Sequence, residues 1–89
     1  GAAAATAAAA LVDIPAGPFV YGLDLRETTT VTVRLYDASG RLVRHLLERE
    51  LPLGVHTFAC DPSALPSGAY MLRVDAGNAH DARKLVIVQ

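Results

Sequence analysis

The chain has one cysteine, no surplus of charge and no apolar run long enough for a membrane. It also has no grouping of residues that reads as a catalytic centre. Each absence excludes something. A single cysteine, Cys60, cannot close an intramolecular disulfide. Its simplest reading is a small buried hydrophobe in a strand. Eight Lys and Arg against nine Asp and Glu leave a net charge of −1. That balance provides no basic surplus to neutralise phosphates, which argues against a nucleic-acid partner. No apolar stretch approaches the ~20 residues of a spanning helix, so no membrane span is expected. The sequence opens at Gly1 without a charged leader or a leucine-rich core. An exported form of it is therefore expected to be mature or trimmed. A sustained 3.6-residue period is missing from 17–89, which removes support for helices and turns attention to strands.

What is present is one domain's worth of chain, 89 residues. A chain of this length buries only roughly 60–65% of its unfolded surface, so its stability is expected to be modest. The apolar fraction of 52% overstates the core, because much of it is alanine near the start. Residues 1–10 run Gly-Ala-Ala-Ala-Ala-Thr-Ala-Ala-Ala-Ala. Alanine favours helix, but ten residues are too few for a stable isolated helix in water. The sequence thus divides into an Ala-rich N-terminal extension, 1–16, a donor strand or a linker, and a β domain, 17–89.

The domain reads as strand, turn, strand to its last residue. Phe19 to Leu25 is an expected strand, followed by the polar turn Arg26-Glu27-Thr28. Thr29 to Tyr36 is the clearest, with Val31, Val33 and Leu35 on a buried face and Thr30, Thr32, Arg34 and Tyr36 opposite. Asp37-Ala38-Ser39-Gly40 turns the chain, the aspartate bonding amides ahead of it. Residues 41–48 break strict alternation, which admits a bulge or a short helical turn. Val55 to Cys60 returns after Leu51-Pro52-Leu53-Gly54, and 61–68 form a longer connection. Ala69 to Asp75 and a last strand ending at Val88 flank the turn Ala76-Gly77-Asn78. Six or seven short strands at this spacing predict an all-β antiparallel sandwich.

Four blocks carry a resemblance. They are Val-Arg-Leu-Tyr-Asp-Ala-Ser-Gly-Arg-Leu-Val-Arg (33–44), Leu-Gly-Val-His-Thr-Phe (53–58), Leu-Pro-Ser-Gly-Ala-Tyr-Met-Leu-Arg-Val (65–74) and Arg-Lys-Leu-Val-Ile-Val (83–88). In this order they resemble the Ig-like modules of the type IX secretion C-terminal sorting class and the related flagellar-hook-capping type, over about residues 18–89. The resemblance implies an Ig-like sandwich appended to exported bacterial proteins. It also implies that Arg83, Lys84, Leu85 and Val86 belong to the region recognised by the export machinery. The chain departs from the pattern at Cys60, where an aromatic residue is common, and at Gly17-Pro18-Phe19, where an Asn-Pro motif usually opens the module.

Other candidate sites dissolve on inspection. His45, His56 and His80 lie in three separate segments without the spacing of a zinc site. Ser39 and Ser67 sit beside turn glycines, and nothing near them in sequence supplies a base or an oxyanion donor set. Asp37 and Asp61 lack the spaced carboxylates of a calcium loop. No cofactor is expected.

Two functions follow. The first is a non-enzymatic structural subunit of an extracellular or surface filament, a homo-oligomer or polymer built by strand addition. Alanines at 3, 5, 7 and 9 suit a tight, dry groove on a neighbouring subunit, and Leu11, Val12 and Ile14 would anchor the donated segment. Ala3, Ala5, Ala7, Ala9, Leu11, Val12 and Ile14 are therefore the expected subunit interface. The alternative is a sorting or accessory binding module whose partner is the secretion machinery. Either way the expected location is extracellular or the cell surface.

Overall fold

The structure, a computed structural model, describes residues 9–12, 14 and 19–89. Seven strands occur among them: β1 (Ala9–Val12), β2 (Val20–Leu25), β3 (Thr29–Asp37), β4 (Leu42–Leu51), β5 (Gly54–Ala59), β6 (Gly68–Ala76) and β7 (Ala79–Ile87). They form two antiparallel sheets, one ordered β1-β2-β5 and the other β4-β3-β6-β7. This is the all-β antiparallel sandwich that the strand–turn pattern predicts.

Period-two alternation decides which side chains meet between the sheets. Val31, Val33 and Leu35 of β3 and Leu72 and Val74 of β6 are buried, as are Leu23 and Leu25 of β2 and Ile87 of β7. No charged or polar residue is buried among those described, so the core itself carries no chemistry. Tyr21 stacks on Phe58 across the β2–β5 pair, with ring centroids 5.7 Å apart. Tyr70 has a buried ring, and its hydroxyl donates to the Pro66 carbonyl at 2.5 Å, which fixes the connection leading into β6.

Strand β4 is where alternation fails, and the reason is visible. Its pairing with β3 shifts register between Val33 and Arg34 and again between Leu35 and Tyr36. These bulges leave Val43 and Leu46 only half-buried. Asp37 organises the turn before β4. Its Oδ1 accepts from the Ser39 N–H at 2.9 Å, the Ser39 hydroxyl at 2.6 Å and the Arg41 N–H at 3.1 Å.

The extension is not separate from the sandwich at residues 9–12. Ala9–Val12, inside the segment 1–16 that composition sets apart, is a strand of the three-stranded sheet, pairing Ala9 with Leu25 and Val12 with Gly22 of the same chain. Ala9 and Leu11 face inward and are buried.

Candidate functional site: the outer edge of the last strand

Strand β7 closes one side of the four-stranded sheet, with β6 as its neighbour within that sheet. The two strands are joined by Gly77-Asn78, and Gly77 has the positive φ, 59°, that a tight two-residue hairpin needs. The closing pair of such a hairpin, Ala76 and Ala79, is hydrogen-bonded, and bonded pairs then alternate along the ladder. Asp81, Arg83, Leu85 and Ile87 therefore bond to β6. His80, Ala82, Lys84 and Val86 direct their N–H and C=O groups away from it.

The same alternation divides the expected sorting residues. Leu85 is buried and Val86 is 59% exposed. Arg83 is half-buried on the inward row, close enough to Tyr21 to act on its hydroxyl electrostatically. Lys84 is exposed on the outer face opposite Met71. The basic pair is thus split between two faces, and the quartet presents Lys84 and Val86 to solvent.

The edge is not uniform. Asp81 blunts its first half: Oδ2 accepts the Leu11 N–H of β1 at 2.8 Å, and Oδ1 accepts the Ala82 N–H at 2.8 Å. At the far end the chain is tied back, because the Gln89 N–H donates to the Ser67 hydroxyl at 2.8 Å. The Gln89 side-chain amide donates to the carbonyls of Leu65, at 2.8 Å, and Pro62. Between these two fastenings lie Lys84 and Val86.

Next to this stretch the sheet's outer face holds a groove of about 700 Å³, lined by Tyr36, Ala69, Met71, Arg73, Ala82 and Lys84 among others. The face is graded along its strands. Glu48 and Glu50 occupy one end, Arg34 and Arg73 the middle, and Leu42, Tyr36 and Met71 the end beside Lys84. Leu42, Met71, Val86 and Val88 are exposed apolar residues.

Arg73 is already engaged. Its guanidinium grips Asp75 at 3.2 Å, and His80 Nδ1 lies 2.6 Å from the same carboxylate. Partial burial of Asp75 works to raise its pKa, but the hydrogen bonds from Arg73 and His80 outweigh it, and the net shift is downward from 3.8. A depressed carboxylate pKa stabilises the fold above the unfolded value, and that contribution is lost as pH falls through the folded value. The thermal midpoint of the protein should therefore drop as pH falls below about 4, and Asp75→Asn should flatten that acid limb. Melts at intervals between pH 5 and pH 2 check this; superimposable limbs would remove Asp75 from the account.

The remaining candidates fall in separate places. His45 lies on β4, and His56 on β5 sits 2.6 Å from the Pro52 carbonyl. Cys60 is 1% exposed, and burial pushes its thiol pKa up, which makes it inert. Of the residues expected at a subunit interface, Ala9 and Leu11 fill the chain's own core, while Val12 and Ile14 lie over Gly22. Ala3, Ala5 and Ala7 fall outside the described residues. No helix among the described residues is long and apolar enough to cross a membrane. Sequence reasoning missed Asp81 and Gln89, whose roles depend on contacts 70 and 22 to 27 residues away.

Comparison with known proteins fits this geometry. Residues 16–88 match the model of the secretion system C-terminal sorting domain. The chain belongs to this family. It is also 36% identical over 64 residues to the basal-body rod modification protein FlgD of Salmonella typhimurium, with the same identity to that of Salmonella typhi. The match covers 65% of this chain but only 28% of each relative. Among solved structures, a DUF3244 family protein of Bacteroides vulgatus with an immunoglobulin-like β-sandwich fold superposes with a TM-score of 0.56. It shares 16% identity, over 92% of this chain and 85% of that one. The sorting-domain sandwich is therefore Ig-like. In this member of the family β7 is, among the described residues, the end strand of its sheet, fastened at both ends.

Proposed function

We propose that this domain is the sorting module of an exported protein, presenting β7 to a type IX secretion machinery. It acts by recognition and not by catalysis, and the protein that carries it ends outside the cell or on its surface. The family match carries this reading. The edge supports it, because Lys84 and Val86 stand exposed between two fastenings on a strand that, among the described residues, ends its sheet. The test is a fusion of the whole 89-residue chain to the end of a periplasmic reporter in a type IX-competent bacterium. The reporter is expected in the medium or on the surface, and its retention in the periplasm would sink the proposal.

A second reading is favoured by the likeness to FlgD, whose name describes modification of a basal-body rod. In it the domain is a structural subunit of an extracellular assembly, a homo-oligomer or polymer in which β1 of one copy takes the place of β1 in the next. Such an exchange reuses the pairing of Ala9–Val12 with Val20–Leu25 without new chemistry. Sedimentation and negative-stain microscopy of the purified chain separate the two: fibres support exchange, and monomers at all concentrations exclude it.

A further inference from the structure

Beyond Asp81, β7 meets no further strand of its sheet among the described residues, and its composition there defines what it can receive. We infer that Lys84–Val86 accept an extended peptide as an added strand. The peptide carries an acidic residue opposite Lys84 and an apolar residue, two positions away, opposite Val86. This rests on the proposal that β7 is the recognised element and names the chemistry of its partner.

Three observations carry it. First, the main-chain groups of Lys84 and Val86 face away from β6, which is the requirement for pairing with a further strand. Second, Asp81 occupies the edge N–H of Ala82 and pins β1 through Leu11. That cap disfavours pairing at Ala82 and leaves Lys84 and Val86 as the next outward-facing positions. Charged side chains on an edge are a defence against indiscriminate pairing; Asp81 supplies one as a carboxylate that caps an amide, and Lys84 another as a cation that repels a basic strand and accepts an acidic one. Third, the side chains on the outer face of that stretch are a cation and a valine. Lys84 makes no ion pair among the described residues, whereas its neighbour Arg73 is taken by Asp75. Val86 is 59% exposed. On an added strand, neighbours of these two positions are themselves two residues apart, so charge and apolarity specify an acidic-x-apolar spacing.

Small neighbours favour the arrangement. Ala82 and Ala69 leave the groove open beside Lys84, so a long acidic side chain has room to lie flat on the sheet. A basic peptide is disfavoured, because like charges opposite one another on adjacent strands repel.

The test is fluorescence anisotropy of the purified 89-residue chain with two labelled eight-residue peptides. Both alternate threonine with other residues. One places glutamate and valine two positions apart, and the other has lysine in place of the glutamate. The wild type is expected to bind the glutamate peptide more tightly. Lys84→Glu should weaken that binding by about fivefold to tenfold and reverse the preference. Val86→Pro removes an N–H that makes no ladder bond, a position where proline is tolerated on an edge. It should abolish binding of both peptides while shifting the thermal midpoint by only a few degrees. Equal binding of the two peptides overturns the inference. So does unchanged binding by either variant, and so does concentration-dependent dimerisation without peptide binding. If the reporter fusion is exported while the peptides fail to bind, this inference alone has failed. If the fusion stays in the periplasm, the sorting proposal has failed whatever the peptides do.

Discussion

Replacing Leu72 with alanine should lower the unfolding free energy by about 2–5 kcal/mol, the range for buried leucine truncations that leave a cavity. Leu72 has no exposed surface and lies in the middle of β6, paired with Leu35 of β3 on one side and Arg83 of β7 on the other. Its neighbours are main-chain ladders on both flanks, so the site cannot collapse without bending two strands. At about 0.05–0.15 kcal/mol per residue, a domain of this length holds roughly 5–13 kcal/mol in all. The substitution therefore removes a large fraction of the total. The adjacent residue provides the control. Met71 points outward and is 42% exposed, so Met71→Ala should cost less than about 1 kcal/mol. Urea titrations of both variants check the contrast. Similar midpoints would mean that the inward and outward rows of β6 are misassigned, and with them the outward placement of Lys84.

That alternation is also what made the fold legible in the sequence. Val31, Val33 and Leu35 announce their strand because β-branched and apolar residues recur at period two between turn formers, and β6 and β7 repeat the pattern. The turn at Asp37 was legible because an aspartate bonding forward is a local device. β4 was not, beyond its irregularity: a bulge arises from pairing with β3, and residues 41–48 alone contain no record of that partner. β1 was hidden for a different reason. Alanine fits helix, strand or linker equally in composition, and only the register against Leu25 and Leu23 shows that Ala9 and Leu11 face a core.

The expected sorting residues were legible in the sequence only as a contiguous block, and their arrangement in space was not. The residues Arg83, Lys84, Leu85 and Val86 stand together in sequence, which invites treating them as one surface. A strand places neighbours on opposite faces, so only Lys84 and Val86 share the open face. Asp81 and Gln89, which bound that stretch, were invisible because an aspartate and a glutamine have many ordinary surface roles. Their meaning comes from the amide of Leu11 and the carbonyls of Pro62 and Leu65. On the proposed reading, β7 joins recognition to folding. Asp81 holds β1 in place only when both sheets have formed, so the half-blocked edge exists in the folded domain and not in the unfolded chain.

Gly22 is where that coupling can be broken by one methyl group. A Cβ at this position would come within 2.7 Å of Val12 Cγ2, 2.9 Å of Ile14 Cγ2 and 3.1 Å of the Val12 carbonyl oxygen. Side-chain ends can move aside, but the carbonyl belongs to the strand paired with Gly22 itself, so β1 must shift. Gly22→Ala should therefore cost about 1–3 kcal/mol, the usual penalty of overpacking. The loss should begin locally. The Leu11 N–H points to Asp81, so by alternation the amides of Ala10 and Val12 face β2. Their hydrogen exchange should accelerate more than that of Val33 or Leu72, whose strands lie in the other sheet. Trimming the obstruction with Val12→Ala in the same chain should recover part of the stability, because the two sites touch and their effects are not additive. Unchanged exchange at Ala10 and Val12, with an unchanged urea midpoint, would mean that β1 does not rest on Gly22 and that the link from β2 through Leu11 and Asp81 to the open edge of β7 does not hold.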